Sequence, residues 1–258
     1  MGEAISLLKR KKETGKTLRP ERLIRDDLAS VHRLAHRFGW DDNIYNHFTC
    51  TLPGTEEFLV KAHGLLMSQV TASNLIVVDQ EGRTIRGEGT VERSALHIHA
   101  AIHKGKPEAS CILHVHPPYS TWLASLKDNQ LKMVNQNMIR FHERIAYDDN
   151  YEGLAVARDE GRRMCGALGD KRIMLHANHG VTVTGPSVEE AFFDLYYMEQ
   201  VCREYFLVVS SGREPRVIPG DVCHRTLVQM DEEYLEGAEL TLAAWKRVLD
   251  EEEPDYRD

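Results

Sequence analysis

Apolar positions along this chain recur with two different periods, and the switches between them divide it into elements. Leu23, Leu28, Val31, Leu34, Ala35 and Phe38 follow Pro20 at helical spacing and stop at Gly39. That pattern predicts a first helix entered through a proline and closed by a glycine. From residue 44 the period shortens. Ile44–Thr51, Glu57–Val60 and Leu75–Val78 read as strands, the last running into the hairpin-like turn Asp79-Gln80-Glu81-Gly82 and a further strand at Thr84–Arg86. A helix is predicted over 92–104, ended by Gly105, and then an apolar strand that carries His114 and His116. A helix over about 119–127 and a loop-rich stretch to residue 153 follow.

The second half repeats these themes. Ala155–Leu168 alternates charged and apolar groups as a surface helix does, and Gly169 closes it. Ile173–Ala177 and Val181–Val183 are β-branched runs separated by an Asn-His-Gly turn. Pro186-Ser187-Val188-Glu189-Glu190 opens a long helix reaching about Ser211, its early acids complementing the helix dipole. The tail, Asp231–Asp258, reads as one more amphipathic helix. No repeat or low-complexity linker interrupts the chain, so the expectation is a flexible arm over 1–20 and a single α/β domain over 21–258. A central sheet covered by helices is the expected layout.

Composition narrows the function. Apolar residues make up 42% of the 258 residues and charged residues 28%, as in soluble globular proteins. A net charge of −8 argues against nucleic-acid binding, which needs a basic stripe. The short basic run Lys9-Arg10-Lys11-Lys12 reads as a solvated tail. The cysteines Cys50, Cys111, Cys165, Cys202 and Cys223 are scattered without CxxC spacing, which points to reduced thiols in a cytoplasmic setting. No apolar run approaches the roughly 18 residues of a membrane span, so no membrane partner is expected.

The chemistry concentrates in Ile112-Leu113-His114-Val115-His116-Pro117-Pro118. A strand repeats its side-chain direction every two residues, so His114 and His116 share a face. Two imidazoles there make part of a divalent-metal site, and catalytic zinc-type sites use three protein ligands and an open position. Leu175-His176-Ala177-Asn178-His179-Gly180 offers the third, with either histidine admissible on physical grounds. Glycine at 180 is expected to let the backbone turn sharply and present an imidazole.

His114-Val115-His116, Asn178-His179-Gly180, the helix start from Pro186 to Ala191 and Val70-Thr71-Ala72-Ser73 together resemble the class II aldolase/adducin family over about residues 25–212. The resemblance implies an α/β/α sandwich with a largely antiparallel sheet. It implies a homotetramer with active sites between subunits, and His114, His116 and His179 as metal ligands, the last because the family's ligand directly precedes glycine. The implied cofactor is a divalent ion, zinc before Mn, Fe or Co. Imidazole ligands suit several of these metals, so ligand type does not select one.

Two departures shape the expected reaction. The family's catalytic carboxylate falls on Ala95, with Glu92 the nearest acid under a shifted alignment. The small phosphate-cradling residues of the aldolases correspond to Asn46-His47, His63-Gly64 and Arg93-Ser94, which weakens the case for a phosphorylated sugar. Tyr45-Asn46-His47 followed by Thr49 matches the adducin-like branch. Adducins, however, extend into a long tail with a basic end, whereas this chain closes on Asp250-Glu251-Glu252-Glu253-Pro254-Asp255. The expectation is a metal-dependent lyase acting on a small unphosphorylated hydroxy or keto acid by aldol cleavage or decarboxylation. His47 and Tyr119 are its candidate catalytic groups, and Asn46, His63, Arg140 and His142 its substrate contacts. The alternatives are another metal enzyme on the same fold (an epimerase, dehydratase or iron oxygenase) and a non-catalytic adducin-like binding protein.

Overall fold

The computed structural model describes residues 19–151, 153 and 158–258. The expected arm over 1–20 and the expected helix start at Ala155 fall largely outside them. Helix α1 (Glu21–Arg37) leads to strand β1 (His47–Thr51), β2 (Phe58–Lys61), β3 (Leu75–Val78) and β4 (Thr84–Arg86). Next come α2 (Arg93–Gly105), β5 (Cys111–Val115), α3 (Pro118–Ala124), β6 (Ile145–Asp148) and α4 (Arg158–Leu168). The chain closes with β7 (Ile173–His176), β8 (Gly180–Gly185), α5 (Val188–Ser210), α6 (Gly220–Glu232) and α7 (Tyr234–Glu252).

The strands form one eight-stranded sheet in the order β4-β3-β2-β1-β5-β8-β7-β6. Neighbours run antiparallel except β6 and β7, which are parallel. Helices cover both faces, so this is the expected sandwich. Because side chains alternate along each strand, the faces differ in kind. Phe48, Cys50, Leu113, Val115, Leu175, Val181 and Val183 point into one large apolar cluster with Leu28, Val31 and Leu34 of α1 and Phe192 and Leu195 of α5. On the other face, Ile112 and Met174 pack under Ile98 and Ile102 of α2 and Met164 and Leu168 of α4. Between those apolar residues the second face carries a buried polar row of His47, Thr49, His114, Thr182 and His176. Strand register sets the row across the sheet, pairing His47 with His114 and His114 with Thr182.

Several boundaries differ from the sequence reading. The first strand starts at His47 rather than Ile44, since Asn43 has φ of 54° and Tyr45 stands exposed. The stretch before residue 153 holds β6 and a short 3-10 turn, Asn137–Phe141. The helix expected over Asp231–Asp258 is α7, α6 before it has no counterpart in the sequence reading, and the end of the chain folds back onto α1. There Arg33 reaches Asp255 at 2.7 Å, Lys246 reaches Asp27 at 2.5 Å, and Tyr256 is fully buried. Among the described residues no helix is long and apolar enough to cross a membrane.

Candidate metal centre

His114 lies in β5 and faces α2 and α4, while His116 stands one residue beyond the strand end. The Nε2 atoms of the two are 3.2 Å apart. The His179 ring lies 4.8 Å from that of His114 and 4.7 Å from that of His116, centroid to centroid. One ligand nitrogen from each of the three falls within 4.8 Å of the others.

The hydrogen bonds decide which nitrogens carry protons. His114 Nδ1 is 3.1 Å from the Val181 carbonyl oxygen, which only accepts, so Nδ1 carries the hydrogen and Nε2 is bare. His116 Nδ1 faces Asp42 Oδ2 at 3.3 Å, and the same reasoning leaves its Nε2 bare. Two imidazole lone pairs therefore confront each other at 3.2 Å. That contact is repulsive unless something positive lies between them. Two nitrogens held at about 2.0–2.1 Å by a tetrahedral zinc are roughly 3.3 Å apart, so the donors fit a divalent ion. Burial acts first to hold all three rings neutral, with the neighbouring imidazoles adding to it. His114 falls well below the usual histidine range, His116 is lowered, and His179 comes down to about 3. Neutral imidazole is the form that ligates a metal.

Local backbone explains how His179 arrives. Asn178 takes the left-handed conformation with φ of 56° and donates its N–H to the Ala124 carbonyl at 3.0 Å, tying the turn to α3. Gly180 is not itself left-handed, so the expected sharp turn belongs to Asn178. Glycine is needed at 180 for closeness, since a Cβ there would sit 2.6 Å from His116 Cδ2 and from the Val115 carbonyl oxygen. The other end of the site is pinned through α3, whose first N–H groups, at Tyr119 and Ser120, both donate to the buried Glu199 carboxylate at 2.8 Å.

His176 belongs to a supporting chain. Its Nδ1 faces Asp148 Oδ2 at 3.8 Å and its Nε2 accepts from the Thr182 hydroxyl at 2.7 Å. Thr182 Oγ1 in turn lies 3.1 Å from His114 Nδ1. Asp148 is itself clamped by Arg163 at 2.7 and 2.8 Å. Burial works to raise the Asp148 carboxyl, but the hydrogen bonds from His176 and Arg163 outweigh it and hold it well below the carboxylate range. Partners of this kind fix the orientation of a ligand ring.

A second buried chain reaches the site from α2. His103 Nδ1 is 3.0 Å from the Ala109 carbonyl oxygen and must donate to it, so its Nε2 accepts from the Thr49 hydroxyl at 2.8 Å. Thr49 has then used its one proton and accepts from His99 Nδ1 at 2.6 Å. His99 Nε2 accepts from His47 Nδ1 at 2.8 Å. This assignment holds while the rings are neutral. Burial keeps them so, lowering His47 and His103 to about 4 and His99 well below the usual range. The chain leaves His47 Nε2 as an acceptor, and the His47 ring stacks on His114 at 4.9 Å.

Thr49→Val keeps the shape of this buried side chain but strands two imidazole nitrogens. Each buried unpaired polar group costs about 1–3 kcal/mol, so a loss of about 3 kcal/mol in urea unfolding is expected. Thr49→Ser should recover most of it. A neutral Thr49→Val would show that the chain contributes nothing.

The remaining candidates are placed as follows. Asn46 is buried and neither atom of its amide has a hydrogen-bond partner. His63 is exposed after β2. The Tyr119 ring packs against Phe206 at 5.6 Å. Arg140 lies over the Tyr197 ring at 4.3 Å, and His142 sits beside His224 at 4.8 Å. Neither joins the histidine cluster, so within one chain they occupy a different neighbourhood. Ala95 is buried, and its N–H is capped by the Glu92 carboxylate at 2.9 Å. Sequence reasoning missed Asp148, Thr182 and Lys61, and named Thr49 only as part of the adducin-like pattern. Buried Lys61 spends its ammonium on the Ile44 and Leu65 carbonyls at 2.8 and 2.7 Å, and burial lowers it to about 8. The available signal was polar residues alternating with apolar ones in strands covered on both faces.

The three-imidazole cluster thus sits at the ends of two interior strands of a helix-covered, mostly antiparallel sheet, in an α/β/α sandwich. The chain belongs to the family described as "Class II Aldolase and Adducin N-terminal domain", whose model matches residues 26–206. An aldolase II superfamily protein from Pseudomonas syringae, solved by crystallography, is 32% identical, with a TM-score of 0.87 over 97% of this chain and 100% of that one. Alpha-adducin of Rattus norvegicus is 34% identical over 200 residues, 76% of this chain but 27% of adducin. The fold is shared with L-fuculose 1-phosphate aldolase from Glaciozyma antarctica PI12, at 24% identity and a TM-score of 0.80 over 92% of this chain and 93% of that one.

Proposed function

We propose that the protein is a divalent-metal-dependent lyase that breaks a carbon–carbon bond in a small, unphosphorylated hydroxy or keto acid. The observation that carries this reading is the pair of bare Nε2 atoms facing each other at 3.2 Å with a third imidazole beside them. His114, His116 and His179 would hold the ion, zinc being the first choice for three imidazoles. When bound, such an ion acts as a Lewis acid that stabilises an enolate.

The chain's own residues supply the rest. His47 Nε2, kept free of a proton by the chain through His99 and Thr49, accepts a hydrogen bond or a proton from a substrate hydroxyl. Tyr119 is the less suitable proton carrier, because its ring is turned into packing with Phe206. The unpaired Asn46 amide can both donate to and accept from a substrate oxygen. With Ala95 at the position of the family's carboxylate, decarboxylation, which needs no base for a hydroxyl proton, is favoured over aldol cleavage. The protein is proposed to work as a homo-oligomer, a tetramer by its family, with Arg140 or His63 serving a neighbouring copy's site.

Metal-loaded protein incubated with a panel of small keto and hydroxy acids should release carbon dioxide or an aldehyde, and a chelator should stop it. Oxygen uptake would replace this reading with an oxygenase. Full metal loading with no turnover of any member would favour an adducin-like binding role, for which the alpha-adducin similarity speaks.

A further inference from the structure

We infer that the chain holds a second transition-metal site, built from His142, Glu143 and His224. The first two follow the 3-10 turn Asn137–Phe141, and His224 stands in the first turns of α6. One ligand atom from each of the three lies within 4.8 Å of the others, a closeness that among the described residues only the first histidine cluster matches. The two rings meet edge to face at 4.8 Å, and His224 Nε2 is 3.9 Å from Glu143 Oε2. Two imidazoles and a carboxylate form a ligand set used for zinc.

Three observations favour a bound ion over a chance meeting of side chains. His142 Nε2 is buried and has no hydrogen-bond partner, an expensive condition that coordination would relieve. Glu143 occupies the left-handed region with φ of 58°, a conformation unfavourable for a non-glycine residue that concentrates at functional positions. The two segments are also already clamped. Arg144, next to Glu143, grips Asp231 with two bonds of 2.9 and 2.5 Å. Asp231 lies two helical turns after His224 and so on the same side of α6. The ligands therefore start out close together, and His224 and Glu143 are exposed enough to swing the remaining distance.

The site lies on different elements from the His114 cluster. Its role is to fasten α6 to the loop that precedes β6. An ion there would bridge segments about eighty residues apart in sequence, stabilising the fold by mass action.

Zinc ions alone, titrated into stripped full-length protein against a chromophoric chelator, test the idea. The parent should take up two equivalents per chain, a tight one and a weaker one. His224→Ala should lose the weaker equivalent and keep the tight one, whereas His116→Ala should do the reverse. Glu143→Gln, which leaves the helix untouched, should weaken the same equivalent that His224→Ala removes. Cobalt uptake at the weaker site should appear as visible absorption that is absent in His224→Ala. A parent that binds one equivalent, or a His224→Ala titration matching the parent, would overturn the inference whatever becomes of the lyase reading. Failure of His116→Ala to lose the tight ion would strike the lyase reading instead.

Discussion

His179→Ala is expected to abolish tight metal binding, whereas His176→Ala, three residues away, should retain the ion with affinity lowered about 10–100-fold. The two histidines share a turn, but their nitrogens are committed differently. His179 brings an imidazole lowered to about 3, first by burial and then by the neighbouring rings of His176, His116 and His47. His176 has both nitrogens engaged, one toward Asp148 and one by Thr182, and acts on the centre only by orienting His114. Thermal unfolding separates the cases without any knowledge of substrate. An ion present at a hundred times its dissociation constant stabilises the parent by about 2.7 kcal/mol. Zinc should therefore raise the midpoint of the parent and of His176→Ala, the latter only at higher concentration, and leave the tight-site response absent in His179→Ala. Equal responses in all three proteins would remove His179 from the centre.

The same pair marks what the sequence could and could not convey. The strand alternation that aims His114 toward one face is visible in the chain, as are the helices around it and the His-x-His pattern. The choice between His176 and His179 came from the family resemblance alone, because its physical basis lies in Asp148, in a strand twenty-eight positions earlier. That strand, Ile145–Asp148, was itself unreadable. It is four residues long, follows an irregular loop, and gains its place by parallel pairing with β7. Helix α6 was missed for a related reason. It starts after Pro219 with no side-chain cap and buries only Cys223, so it leaves almost no apolar stripe. Gly180 illustrates a third limit. Its presence was legible, but the reason is a close approach to His116 and Val115 across the sheet.

Acid should destabilise this protein between about pH 6 and pH 4, and buried neutral histidines away from the proposed ligands carry a large share of the loss. His32, His99 and His103 are buried and neutral, with burial the leading cause in each. His32 is brought to about 3, His103 to about 4 and His99 well below its ordinary value. In the unfolded chain each returns to about 6.5. Below that pH the unfolded state binds protons that the folded state refuses, so stability is full above about 6.5 and falls as the pH drops toward the folded values. Each group removes on the order of 1.4 kcal/mol per pH unit once its unfolded form is protonated. The three together remove on the order of 4 kcal/mol per unit between about pH 6 and pH 4. A total stability of about 5–15 kcal/mol would be largely spent over that interval. Urea unfolding of chelator-treated protein at pH 7.5, 6.0 and 5.0 reads the effect directly. His103→Asn, which cannot titrate, should cost stability at neutral pH but flatten the acid slope by about 1.4 kcal/mol per pH unit. A parent whose stability is level from pH 6.5 to 4.5 would mean that these rings take up protons inside the fold, and the ordered hydrogen-bond direction from Ala109 to His47 would not stand.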